Sequence, residues 1–234
     1  SDVKSAALDV ICEFGEAQAV DYIAPYLKHE DQEVRLGALG GLLRSGGIDG
    51  ILRAGNHLQS LENSSDPAQR TFATRVLGEV GIRSFYRPLL KLLEDDDPVV
   101  RRAALAAAGA IKNARLWPNV IPNLASITFH TQATLALAAA GESALSEMEV
   151  AFEEPDATRQ LRIRIADVCG RIKGQRATTI LQRWLDEPDK DIRSKVLSSL
   201  HQCDYRTEEG EVIDVRRVDQ GRGVGCCVDT RHDG

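Results

Sequence analysis

The chain has 234 residues, 43% hydrophobic but only 5% aromatic, with a net charge of −6. Its 22 Arg and 7 Lys are spread along the chain without a basic block, which argues against nucleic acid as a partner. The longest apolar runs, near 103–111 and 133–141, are about half the length a membrane helix needs, so no direct membrane insertion is expected.

The chain opens on "SDVKSAALDVI", a helical pattern centred on Lys4. A second kind of pattern follows at "AVDYIAPYLK". The first kind then returns as "DQEVRLGALGGLL" from Asp31, "DPAQRTFATRVLG" from Asp66 and "DPVVRRAALAAAG" from Asp97. It appears again at His130 ("FHTQATLALAAAG"), at Arg162 ("RQLRIRIADVCG") and from Asp189 ("DKDIRSKVLSSL"). Register positions 4, 35, 70, 101, 130, 162 and 193 therefore recur every 29–35 residues. Four copies place Asp four residues before Arg: Arg35, Arg70, Arg101 and Arg193. Between the copies lie "SFYRPLLKLL", "WPNVIPNLASI", "ALSEMEVAF" and "ATTILQRWL". Each unit reads as helix A, Asp turn, helix B and a loop often marked by glycine (Gly15, Gly46, Gly81, Gly141, Gly174).

The stretch "EDDDPVVRRAALAAAGAI" (94–111) displays the chemistry of one unit. Asp97 is expected to cap a helix, with Pro98 at the first helical position, where its missing N–H costs nothing. Asp95 and Asp96 add charge at the positive end of the dipole. Val100, Ala104, Leu105, Ala108 and Ile111 make one apolar face, and the remaining alanines keep the helix thin enough for close packing.

These repeats resemble the HEAT-like class, in particular the short class of about 30 residues also seen in phycobilin lyases. The resemblance covers residues 1–203 and implies an all-α fold: an α-solenoid, or superhelix, of about seven HEAT-like helix pairs, the first repeat incomplete. It also implies that Asp and Arg form a ladder between neighbouring units, and that the B helices line the concave face. A start inside a repeat, without Met, points to a piece of a longer protein or to a lost helix. Residues 204–234, glycine-rich and charged, read as an irregular or disordered tail. HEAT segments of this kind also occur appended to membrane permeases similar to ATP/ADP carriers.

Chemistry-bearing patterns are sparse. The deoxyhypusine hydroxylases, also HEAT-repeat enzymes, bind iron through four His-Glu pairs on helix B. Here His29-Glu30 is the one such pair and precedes the Asp turn, while His130 is followed by Thr131. Cys226-Cys227 with His232 is poor zinc spacing. Cys12, Cys169 and Cys203 read as small buried residues. Five cysteines without even spacing argue against a disulfide framework and for a reducing, cytoplasmic compartment. Asp9, Glu13, Glu79 and Asp167 are helix-B carboxylates spread over three units, read as solvated charge. No catalytic residue, metal site or cofactor is expected.

The function expected is a non-catalytic scaffold that binds a helix or an acidic segment, from a protein partner or from another domain of the same chain. Its site would be a floor of small residues, including Ala106 and Ala107, with Arg44, Phe72, Arg75, Gln132, Arg164 and Arg171 around it. The alternatives are a cytosolic regulatory domain of a membrane transporter and a bilin-lyase-like enzyme or chaperone.

Overall fold

The Asp turns fold as their chemistry requires. In the computed structural model, which describes residues 7–8, 10–11 and 19–203, Asp31, Asp66, Asp97 and Asp189 are all N-caps. Each carboxylate accepts the backbone N–H two residues on; Asp97 takes Val99 N at 2.7 Å and Val100 N at 3.3 Å. At the fifth cap Thr158 replaces Asp and accepts Leu161 N at 3.2 Å. The expectations at Lys4, Asp9, Cys12, Glu13 and Gly15, and for the whole of 204–234, lie outside the described residues.

Among the described residues all regular structure is helical. α1 (Ala19–Ile23) continues as a 3-10 turn to Lys28 and is followed by α2 (Gln32–Ser45). Then come α3 (Gly47–Glu62) and α4 (Pro67–Val80), and α5 (Tyr86–Leu93) and α6 (Pro98–Ile111). α7 (Trp117–Val120) runs on as a 3-10 segment to Ala125 and precedes α8 (His130–Ala140). α9 (Leu145–Glu153), α10 (Arg159–Ile172), α11 (Gly174–Arg183) and α12 (Lys190–Gln202) complete the order. The even-numbered helices are the B helices and pack on one another in sequence. This is an all-α solenoid of stacked helix pairs.

Helix α3 carries no proline, unlike the A helices α5 (Pro88) and α7 (Pro118). It has Gly47, Gly50 and Gly55 instead, and at 16 residues it is long, which accounts for the wider spacing between Arg35 and Arg70.

The core is one continuous, mainly aliphatic cluster running through the described units, as stacked repeats require. The five apolar residues expected on α6 are all buried. Glycine sets how closely B helices approach. Gly78, Gly109 and Gly170 stand eight residues after Arg70, Arg101 and Arg162. A Cβ on Gly109 would lie 2.9 Å from the Ala136 Cα, one on Gly78 3.2 Å from the Ala107 Cα, and one on Gly170 2.8 Å from the Ser199 Cβ. The pairs α4–α6, α6–α8 and α10–α12 therefore pack most heavily. At the same position α2 has Leu43 and α8 has Ala138, and the junctions α2–α4 and α8–α10 are looser.

The interunit ladder exists, but its acceptors differ from those the resemblance implies. The register arginines reach the next unit at residues other than the cap aspartates. Arg70 makes a two-pronged contact with Asp95 at 2.7 and 2.8 Å. Arg101 donates to Asn123 Oδ1 at 3.3 Å and covers the Phe129 ring. Arg35 covers Phe72, and Arg162 pairs with Glu187 at 3.6 Å. Several also tie their own turn by donating to a loop carbonyl: Arg35 to His29, Arg70 to Ser64, Arg193 to Glu187. Of the cap aspartates, Asp189 takes a cation from the preceding unit, Arg159 at 2.6 Å.

Candidate interaction face

Helices α6 and α8 are adjacent B helices, and each turns a stripe of side chains away from the core. Along α6 the stripe is Val99, Ala103, Ala106 and Ala110, spaced three or four residues apart. Along α8 it is Thr131, Leu135 and Ala139. Leu135 is 60% exposed and Val99 54%, while Ala106, Ala110 and Ala139 are exposed small residues between them. Arg102 stands beside this strip, exposed, and makes no ion pair among the described residues.

The other expected floor and rim residues divide. Ala106 is exposed, but Ala107 is 4% exposed and pressed against Gly78 of α4, so it is a packing residue. Phe72 is likewise buried, at 4%, beneath the Arg35 guanidinium at 5.0 Å; its expected place on the rim is corrected. Gln132 is half-exposed at the start of α8.

The expected rim arginines are held by the scaffold. Arg75 grips Glu33 with two contacts, 2.8 and 2.9 Å. Arg44 donates to the Glu79 carbonyl at 3.4 Å. Arg164 is partly buried and donates to the carbonyls of Leu124 and Ser126. Arg171 pairs with Asp167 at 2.8 Å, and Lys195 approaches the same carboxylate at 3.1 Å. Burial pushes the Asp167 carboxyl up, but its bonds to Arg171 and Lys195 outweigh that and leave it below the ordinary value. These arginines therefore orient neighbouring helices and present less free positive charge than their number suggests.

Chemistry elsewhere on the described surface is muted. Burial pushes the Cys169 thiol up to about 12, which leaves it protonated and unreactive at neutral pH. Cys203 is half-buried. His29 Nδ1 accepts the Asp31 N–H at 3.0 Å, closing a turn. Among the described residues no three metal-ligating side chains gather.

Residues 56–144, from mid-α3 to the turn before α9, match the family model for HEAT repeats. This stretch is therefore built of HEAT-like helical repeats. No curated protein matches it. Solved structures do. One is an engineered protein with 18% identity and a TM-score of 0.41, aligned over 79% of this chain and 96% of that one. A second engineered protein, also 18% identical, has a TM-score of 0.40 over 86% of this chain and 64% of its own. Human deoxyhypusine hydroxylase in complex with glycerol is 16% identical, with a TM-score of 0.37 over 80% of this chain and 96% of that one. Among the described residues, no helix is long and apolar enough to cross a membrane.

Two signals bearing on this face went unread in the sequence. One is the glycine eight residues after the register arginine, which decides which alanine of the following B helix is covered. The other is Val99, which carries the outward stripe of Ala103, Ala106 and Ala110 back to the first turn of α6.

Proposed function

We propose that this HEAT-like chain is a non-catalytic scaffold that binds a helical segment of a protein partner, or of another domain of its own chain, across the α6–α8 strip. The observation that carries the reading is Leu135, 60% exposed, on a surface otherwise made of Val99, Thr131 and alanines. Small side chains let a partner helix approach closely, and a large aliphatic group among them provides an anchor. Arg102 beside the strip favours a carboxylate on the partner. Readings as a transporter's regulatory domain or as a bilin-lyase-like enzyme rest on resemblance alone.

The test uses a photo-crosslinking residue at Ala106 in the full chain to identify the partner, followed by direct binding to it. Ala106→Glu is expected to change stability by less than about 0.5 kcal/mol, as exposed substitutions do, and to weaken binding at least tenfold. Ala107→Glu, in contrast, buries a charge against Gly78 and is expected to cost several kcal/mol. A partner bound equally well by wild type, Ala106→Glu and Leu135→Glu overturns the proposal.

A further inference from the structure

On the opposite side of the solenoid a second surface is built differently. Helix α7 and its 3-10 extension face α9 across a cleft of about 380 Å³. Pro118 and Pro122 stand on one wall, Val150 and Ala151 on the other, and Leu161 of α10 lies at one end. The volume is at the low end of the range for ligand pockets, enough for one or two aliphatic side chains but not for a whole helix face. Val150 is 57% exposed here, an aliphatic group with nothing over it.

The polar lining is of one sign. Glu147, Glu154 and Asp156 border the cleft, and no Lys or Arg lines it. None of the three carboxylates has an ion-pair or hydrogen-bond partner among the described residues. Glu149, on the same helix as Glu147, instead pairs with Arg183 of α11. The acid that faces the neighbouring helix is thus paired, while Glu147 on α9 and Glu154 and Asp156 just beyond it are left open towards the cleft. The C-terminal end of α9, at Glu153, adds the negative pole of the helix dipole on the same side. Unpaired carboxylates around an apolar floor focus a negative potential into the cleft.

We infer that the α7–α9 cleft is a second docking site, distinct from the α6–α8 strip, for a short extended segment of a partner protein that presents an aliphatic side chain between two basic residues. Glu147 and Glu154 are seven residues apart, about 10 Å along the helix axis. A polyproline-like segment brings residues i and i+3 to the same side about 9 Å apart. Two Lys or Arg separated by two residues can therefore each meet one carboxylate while an aliphatic residue between them covers Val150. The occupant is assigned by charge complementarity: an acidic segment would meet three like charges, and a purely apolar one would leave them unanswered.

The test is selection of random 12-residue phage-displayed peptides on the full chain, then fluorescence anisotropy with the synthesised winners. The expected winners carry Lys or Arg at i and i+3 with Leu, Ile or Val between, and bind more weakly as salt rises. The double variant Glu147→Lys/Glu154→Lys should weaken them at least tenfold with unchanged melting. Glu153→Lys, an exposed charge change on the same helix outside the cleft, should leave them within twofold. No enrichment, acidic winners, or affinity indifferent to the double variant overturns the assignment. Sedimentation in which the chain self-associates and the double variant abolishes it also overturns it, by naming a second copy as occupant. The α6–α8 reading is tested by other variants and a different partner, so either can fail alone.

Discussion

Asp95, Asp96 and Asp97 are neighbours with three different roles. Asp97 caps α6, Asp95 accepts Arg70 of the preceding unit as well as the Asp97 N–H, and Asp96 is exposed. Asp97→Ala should cost about 1 kcal/mol, the usual loss for a cap. Asp95→Asn should cost about 1–2 kcal/mol, because it weakens charge-assisted bonds between units. The two separate in acid. The bond from Arg70 holds the Asp95 carboxyl below its ordinary value. Its stabilisation is therefore present above the unfolded carboxylate pKa, near 4, and is lost as pH falls through the lower folded value. Urea titrations should show the Asp95→Asn deficit at pH 7 and its disappearance well below pH 4; a deficit independent of pH contradicts this assignment. Glu62 has the opposite sign. Burial at the end of α3 pushes it up to about 7, with Lys91 only partly opposing. A raised carboxyl pKa destabilises the fold as pH climbs from about 4.5 to 7, and the penalty is complete above that window. Glu62→Gln should stabilise by on the order of 1–2 kcal/mol at pH 8, allowing for partial exposure, and by nothing measurable at pH 4. Equal effects at both pH values would refute the burial argument.

At the scale of elements, two glycines in helix interiors should respond oppositely to the same substitution. Gly55 in α3 has nothing within 4 Å of where a Cβ would stand, so Gly55→Ala should stabilise by about 0.5–1 kcal/mol through helix propensity. Gly109→Ala gains the same propensity but drives a methyl to 2.9 Å from the Ala136 Cα. Overpacking of this kind costs about 1–3 kcal/mol, so the net effect should be destabilising. Thermal melts of the two variants check both signs; stabilisation by Gly109→Ala would mean that α6 and α8 separate easily. The same contacts explain what could be read in the sequence. Asp caps, Pro98 and the register arginines are local signals, written within four residues, and they gave the helix pairs. Ala106 and Ala107 are consecutive and chemically identical, and only Gly78, some thirty residues away, decides which one is covered. Phe72 is buried for a similar reason that its own helix does not spell out: its cover is Arg35 of the preceding unit. The α7–α9 cleft depends on the spacing of two A helices and on carboxylates left without partners, neither of which a single helix's pattern contains.

For the whole molecule, stability is a sum over units and junctions, and the junctions are unequal. The α8–α10 junction lacks the glycine contact, while α10 and α12 hold each other closely. Helices α10 to α12 should therefore open as a block at lower free energy than α4 to α6, which have tight neighbours in succession. Native-state hydrogen exchange tests this: two groups of amides with distinct opening free energies are expected, and one uniform value would rule it out. The glycine–alanine seam has a mechanical meaning as well. Where backbones already touch, the stack cannot be compressed, so bending has its fulcrum along the B helices. Helix axes lie roughly 8–10 Å apart; on a lever of about that length, a few degrees of rotation moves the A helices by about half an ångström. The clefts on the A side are where that displacement is absorbed. A segment wedged between α7 and α9 would thus act as a shim, and its thickness would set the angle at which the two halves of the solenoid meet.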